Sequence, residues 1–284
     1  RRGSVFWDPH EIADVVRHQI LDPAIPDIET SDQAALFAEL EWPCPGEWLS
    51  ALEASPVIAD RDDPLNRLPV RLDDGLVYLE KYWQAEHDVA RDLAALAADP
   101  PNQGPVLADD VVSSVSNALA ASGIILDPAQ ADAALAAIMH RVSVLAGGPG
   151  TGKTTTVCAL LAALQRADPH LGAVALAAPS GKAAARLRDS VSQVSERMPD
   201  DLKPIVADAT TVHSLLKWQG PGTSFGYDEQ HKLPFGVVVV DEASMLSLPL
   251  AASLLSAIGP QTRLILVGDP GQLVSVDAGS VLAL

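Results

Sequence analysis

Cysteine is nearly absent from this 284-residue chain: Cys44 and Cys158 stand alone and far apart in sequence. A disulfide framework and a cysteine-based metal site have no support, and both thiols read as small core or half-exposed residues. Long apolar runs are lacking too. None approaches the roughly eighteen residues of a membrane span, and the N-terminal residues lack the basic-then-apolar pattern of a secretion signal. The expectation is a cytoplasmic protein with no membrane partner. Positive charge is scarce: 19 Lys+Arg stand against 37 Asp+Glu, a net charge of -18. The deficit is lopsided, since residues 1–146 hold 9 basic against 25 acidic side chains while residues 147–284 hold 10 against 12. So acidic a first half is a poor binder of a phosphate backbone, so any nucleic acid is expected on the second half. The chain also lacks an initiating methionine and stops just after an apolar motif, as a fragment or the ordered part of a longer protein would.

What is present is organised around Gly147-Gly148-Pro149-Gly150-Thr151-Gly152-Lys153-Thr154, which fits G-x-x-x-x-G-K-[ST] at every fixed position. The apolar run Val142-Ser143-Val144-Leu145-Ala146 before it reads as a buried strand. Residues 154–166 after it, with Val157, Leu160, Leu161 and Leu164 on one face, read as a helix. Glycines let the backbone curl until several N–H groups and a helix N-terminus point at phosphates. Lys153 is then placed to reach β- and γ-phosphates, and the Thr154 hydroxyl to ligate magnesium.

The length exceeds one comfortable core, and 48% hydrophobic residues suffice for two domains. Short helices are expected at 9–20, 31–41 and 48–55. Leu68-Pro69-Val70-Arg71-Leu72, the turn Asp73-Asp74-Gly75 and Leu76-Val77-Tyr78-Leu79 then form a hairpin signature, because Asp-Gly supplies positive φ angles. An amphipathic helix follows at 80–98. Tyr78, Tyr82 and Trp83 read either as core or partner-facing aromatics or as a base-stacking platform; the acidic setting favours the former. Ala98-Asp99-Pro100-Pro101-Asn102-Gln103-Gly104-Pro105 is the best linker, so domains are expected at 1–104 and 105–284.

Past the linker, helices are expected at 111–121 and 128–139, the second opened by an Asp127 cap and Pro128. Gln130 reads either as an adenine-edge reader or as an exposed helical glutamine. A second strand-loop-helix unit runs through 173–178, Pro179-Ser180-Gly181-Lys182 and a helix bearing Arg186 and Arg188, and suits a nucleic-acid phosphate. Thr210-Thr211-Val212-His213 opens a short helix ending near Trp218, where His213 either contacts a phosphate or base or caps the turn. The continuous apolar strand Val237-Val238-Val239-Val240 delivers Asp241 and Glu242 at its end. These carboxylates suit magnesium binding (Asp241) and orientation of the attacking water (Glu242). A last strand, 263–267, leads to Gly268-Asp269-Pro270-Gly271-Gln272-Leu273, where Gln272 can sense the γ-phosphate and Asp269 pass that signal to a neighbouring surface. Four strands each ending in a functional loop imply an α/β phosphate-loop (P-loop) NTPase, a RecA-like parallel sheet preceded by a smaller, mostly helical domain with a β-hairpin.

In order, Gly147 to Thr154, Ala178-Pro179-Ser180-Gly181-Lys182-Ala183-Ala184, Thr211-Val212-His213-Ser214-Leu215-Leu216, Val240-Asp241-Glu242-Ala243-Ser244-Met245 and Gly268 to Leu273 resemble motifs I, Ia, Ib, II and III of superfamily 1B helicases of the RecD type. Residues 126–130 resemble the adenine-reading Q motif. Arg2-Gly3-Ser4-Val5, Leu76-Val77-Tyr78-Leu79, Tyr82-Trp83 and Glu86 resemble the N-terminal domain that in this family packs on a RecC subunit. The resemblance implies an ATP- and Mg²⁺-dependent motor moving 5′ to 3′ on single-stranded DNA beside RecB-like and RecC-like subunits in recombination and repair. It assigns catalysis to Lys153, Asp241, Glu242 and Gln272. Nucleotide binding falls to Gln130, Gly148, Pro149, Gly150, Thr151, Gly152, Lys153, Thr154 and Thr155, and metal binding to Thr154 and Asp241. DNA contact falls to Pro179, Ser180, Gly181, Lys182, Arg186, Thr211 and His213. Ser180 stands where threonine is more usual and keeps the hydroxyl. Arginine fingers would sit in a second motor domain not present here, so this chain is expected to bind nucleotide but hydrolyse it poorly. A stand-alone RecD-like helicase, the helicase part of a conjugative relaxase, and a structural subunit with a vestigial nucleotide site are the competing readings.

Overall fold

The computed structural model describes residues 6–11, 43–59, 68–101, 105–220 and 224–269. They fall into two compact units, Arg1–Glu86 and His87–Leu284. The expected helix at 31–41 and nearly all of that at 9–20 lie outside the described residues, as do Arg2-Gly3-Ser4-Val5 and Gln272.

In the first unit, β1 (Phe6–Trp7), α1 (Pro45–Glu53), β2 (Ile58–Ala59), β3 (Val70–Asp73) and β4 (Leu76–Leu79) lead into α2 (Glu80–Ala98). The strands form one sheet in the order β1-β4-β3-β2. The hairpin expected from Asp-Gly is present, with Asp74 at φ 50° and Gly75 at φ 75° as a two-residue turn needs. Its stability rests on a buried ion pair. Arg71 is 1% exposed, and its Nε and Nη2 donate to Glu80 Oε2 and Oε1 at 2.7 and 2.8 Å. The guanidinium also lies 3.8 Å from the centre of the Trp83 ring, whose Nε1 donates to Asp73. Trp83 is thus half-buried and engaged within the unit by Arg71 and Asp73, which fits its reading as a packing residue.

The second unit carries α3 (Pro105–Ala121), α4 (Pro128–Met139), β5 (Val142–Ala146), α5 (Lys153–Ala167), β6 (Val174–Ala178), α6 (Gly181–Arg197), β7 (Thr210–Thr211), α7 (Val212–Leu215), β8 (Val237–Val240), α8 (Leu248–Ala257) and β9 (Arg263–Gly268). Its five strands run in the order β5-β9-β8-β6-β7, every pairing parallel. Parallel strands need helical crossovers, and α5, α6 and α8 supply them. Central strands are buried on both faces: every residue of β6, β8 and β9 is buried. The α/β parallel-sheet class is as expected from the sequence.

Three details differ from expectation. Strand β5 is half exposed, with Val144 at 54%, because among the described residues it pairs only with β9. Helix α5 is buried nearly all round, Thr156 through Leu164, since Cys158, Ala159, Ala162 and Ala163 pack on the sides its leucines leave. The division between units falls inside α2 rather than at the Pro100-Pro101 stretch, because Val89 and Leu96 of its C-terminal half are buried. Cys44 is exposed and Cys158 buried.

Arg71→Ala is expected to cost about 3–5 kcal/mol, because it leaves the Glu80 carboxylate buried and unpaired. Equilibrium urea unfolding checks this; a loss below about 1 kcal/mol would contradict it.

Candidate active site

All five parallel strands end at one edge of the sheet, and the motif residues follow those ends. Gly147 N–H donates to the Gly268 carbonyl at 3.1 Å, tying the loop after β5 to the end of β9. Asp241 N–H donates to the Ala177 carbonyl at 2.9 Å, which fixes the loop after β8 against β6. Thr211 pairs with Ala178 in the β6–β7 register, so the loops after those strands are neighbours as well.

The loop between β5 and α5 has the conformation its glycines permit. Gly150 and Gly152 sit at φ 78° and 76°, which side chains strongly disfavour. A Cβ on Gly152 would lie 2.7 Å from Gln130 Nε2, and one on Gly147 would lie 2.7 Å from Thr151 Oγ1. Thr151 Oγ1 donates to the Gly148 carbonyl at 2.9 Å. The Lys153 ammonium donates to the carbonyls of Gly147 and Gly148 at 2.7 and 2.9 Å. Pro149 is exposed, while Thr154 and Thr155 are half-buried in the first turn of α5. Thr156, which the motif does not include, closes that turn by donating to the Gly152 carbonyl at 3.2 Å.

Gln130 links the helix before the loop to the loop itself. Its Oε1 accepts from Asp127 N–H at 3.1 Å while Asp127 Oδ1 accepts from Gln130 N–H at 2.9 Å, a reciprocal capping box on α4. Its Nε2 donates to the Thr151 carbonyl at 3.3 Å. Both ends of the amide are engaged, one by the cap and one by the phosphate loop. The signal was in the sequence, since Asp at the cap and Gln three residues on is a capping-box pattern.

Asp241 is partly buried at the end of β8, and burial raises its carboxyl above the usual carboxylate range, while the Glu242 backbone N–H and the Lys153 charge pull the other way. Lys153 and Asp241 therefore share one field. Glu242 follows at φ 50°, ψ 38°, a left-handed conformation that costs a non-glycine residue about 1–3 kcal/mol and concentrates at functional sites. Oxygen donors of this kind, one hydroxyl and one carboxylate beside a phosphate cradle, suit magnesium, which keeps most of its coordination for water and phosphate. Among the described residues no group of three or more His, Cys, Asp or Glu side chains could hold a metal alone.

On the neighbouring loops, Ser180 caps α6 by accepting from Ala183 N–H at 3.2 Å. Thr211 caps α7, accepting from Ser214 N–H at 3.1 Å. Ser180, Gly181, Lys182 and Arg186 are exposed and Pro179 is half-buried. The His213 ring packs edge-on against Trp218, centres 5.6 Å apart, and against Phe225 at 6.2 Å. Trp218 is 47% exposed, an aromatic face beside the loops that motif reading passed over because it belongs to no phosphate-binding pattern.

A family model described as an AAA domain matches residues 130–278. The chain belongs to this family. The AAA domain here spans every candidate residue from Gln130 to Gln272. Among curated proteins the chain is similar to "RecBCD enzyme subunit RecD" of Mycobacterium tuberculosis, 43% identical over 289 residues, covering 100% of this chain and 44% of that protein. It is also 43% identical over 254 residues to the protein of the same name from Mycolicibacterium smegmatis, covering 86% and 42%. With "ATP-dependent RecD2 DNA helicase" of Deinococcus radiodurans it shares 35% identity over 206 residues, covering 72% and 25%. The chain thus spans less than half the length of these relatives. The resemblance to RecD-type helicases drawn from the motifs is borne out.

Two outcomes are expected at this AAA domain. Gly152→Ala retains the fold by circular dichroism but weakens Mg·ADP binding about tenfold or more by calorimetry, since about 1–3 kcal/mol of backbone strain falls on the loop and 1.4 kcal/mol is a factor of ten. Asp241, raised in the folded state, binds more protons there than in the unfolded chain, so it makes stability fall as pH rises from its unfolded value through its folded one. Asp241→Asn is expected to flatten that part of the pH–stability curve in metal-free buffer, measured by urea unfolding from pH 4 upward.

Proposed function

We propose that this chain is the nucleotide-binding part of an ATP-dependent DNA helicase and translocase, a RecD-type subunit of a RecBCD-like complex. One observation carries the reading: the phosphate loop, the Asp241-Glu242 pair and the loops at Pro179 to Lys182 and Thr211 to His213 lie side by side along one edge of a single sheet. Nucleotide and nucleic-acid backbone can therefore be held by adjoining loops.

In this reading Gly148 to Thr155 cradle the phosphates with backbone N–H groups at the start of α5. The Lys153 ammonium exchanges its two carbonyl acceptors for phosphate oxygens. Thr154 and Asp241 hold Mg²⁺, which neutralises charge on the β- and γ-phosphates. Glu242 accepts a hydrogen bond from the attacking water and orients it. Gln130 acts on the nucleotide side through the Thr151 carbonyl. Lys182 and Arg186 meet phosphates of single-stranded DNA, joined by the Ser180 hydroxyl proton, by Thr211 and by His213, with Trp218 available for stacking. Gln272 couples the γ-phosphate to that surface. The N-terminal unit docks on a RecC-like partner, with a RecB-like subunit completing a cytoplasmic assembly. Movement 5′ to 3′ belongs to the same proposal and rests on the resemblance of the motifs to RecD-type helicases.

ATP hydrolysis by the full-length protein, measured with and without single-stranded DNA, tests this. Stimulation by DNA and a loss of at least 100-fold in Lys153→Ala are expected; undiminished turnover would refute the site. The similarity to the RecD2 helicase keeps a stand-alone motor in view. Affinity capture of the full-length protein from its native cell is expected to recover two large partners, and recovery of an active chain alone would favour the stand-alone form.

A further inference from the structure

At the opposite edge of the sheet, where the strands begin, a cavity of about 420 Å³ is lined by Arg141, Arg263, His170, Gln261 and the backbones of Gly172 and Gly236. Two arginines line it, each almost fully buried: Arg263 is 5% exposed and Arg141 6%. Arg141 is partly matched, its Nη2 donating to Asp99 Oδ2 at 3.3 Å and to Gln261 Oε1 at 3.0 Å, and its Nε to the Asp99 carbonyl. Arg263 is not. Its Nε is buried without a hydrogen-bond partner, and among the described residues it forms no ion pair. Asp168 also lines the cavity, but its Oδ1 already accepts from His170 N–H at 3.0 Å.

A buried cation that forms no ion pair is costly, and a guanidinium presents a fixed fork that matches an oxyanion. Burial lowers the affinity of Arg263 for its proton and the Arg141 charge lowers it further, against the pull of Asp168. Backbone approaches at the cavity wall are as close as atoms allow: a Cβ on Gly236 would fall 2.5 Å from Gly172 N.

We propose that this cavity is a binding site for a phosphate-type oxyanion, held between Arg263 and Arg141 and separate from the nucleotide edge. Arg263 opens β9 and Gly268 closes it, so the two sites sit at opposite ends of a six-residue strand. The volume exceeds that of a bare phosphate several-fold, with water at about 30 Å³ for scale, so a phosphate carrying an organic substituent is admitted as well as the free ion. Gln261, exposed at the rim and bonded to Arg141, marks the entrance.

Inorganic phosphate is the probe, titrated into the intact chain at constant ionic strength against potassium chloride and followed by thermal unfolding. The parent is expected to show a saturable rise of about 5 °C at a hundredfold excess over Kd. Phosphate also reaches the phosphate loop, so the readout is the difference between the parent and Arg263→Met. In chloride the variant is expected to melt at or above the parent, because a buried unpaired charge has been removed, and in phosphate it should lose most of the rise. Gln261→Glu supplies a carboxylate beside Arg141 and should also raise the chloride midpoint while blunting the phosphate response. Equal phosphate responses in all three proteins, or an Arg263→Met variant that is less stable than the parent in chloride or fails to fold, would overturn the site.

Discussion

The phosphate loop depends on a place where no side chain can be. Gly152 turns the backbone at φ 76° and lets the Gln130 amide close to a distance that any Cβ would violate. Through that approach one side chain caps α4 and holds the Thr151 carbonyl, so the helix before the loop is tied to the loop itself. The backbone bond from Gly147 to Gly268 then fixes the loop to β9. The bond from Asp241 to Ala177 fixes the carboxylate loop to β6. With these links in place, Lys153 and Asp241 act on one another electrostatically before any ligand arrives.

That arrangement also explains the burial pattern. Helix α5 begins inside the loop and must sit at the middle of the domain, so it is apolar on almost every face. Each of its buried leucines contributes about 1.5–3 kcal/mol. The polar work is pushed to the strand ends: a lysine and two carboxylates at one edge, two arginines at the other. Between them the strands β6, β8 and β9 carry no exposed residue.

Much of this was legible in the sequence because it is local. The loop spacing, the Asp-Gly hairpin turn, the Asp127-Pro128 helix start and the Val237 to Val240 run each encode their structure within a few residues. The fold class followed from their alternation. What was not legible depends on distant partners. Val144 has the composition of a buried strand and is exposed because of where β5 falls in the strand order. Ser180 and Thr211 are expected as DNA contacts, and each serves as a helix cap. Arg141 and Arg263 are 122 positions apart, and no pattern in the chain announces that they share a cavity. Nothing local in the sequence pairs Arg71 with Trp83, whose ring centre lies 3.8 Å from its guanidinium.

The central claim is that a nucleotide binds on the loop between β5 and α5 with Asp241 and Glu242 beside it. Amide hydrogen exchange of the chain, with and without saturating Mg·ADP, tests this most directly. The account expects slowed exchange concentrated in residues 147–155 and 241–242, with the first unit unchanged. Binding without protection at 147–155, or protection centred elsewhere, would contradict it.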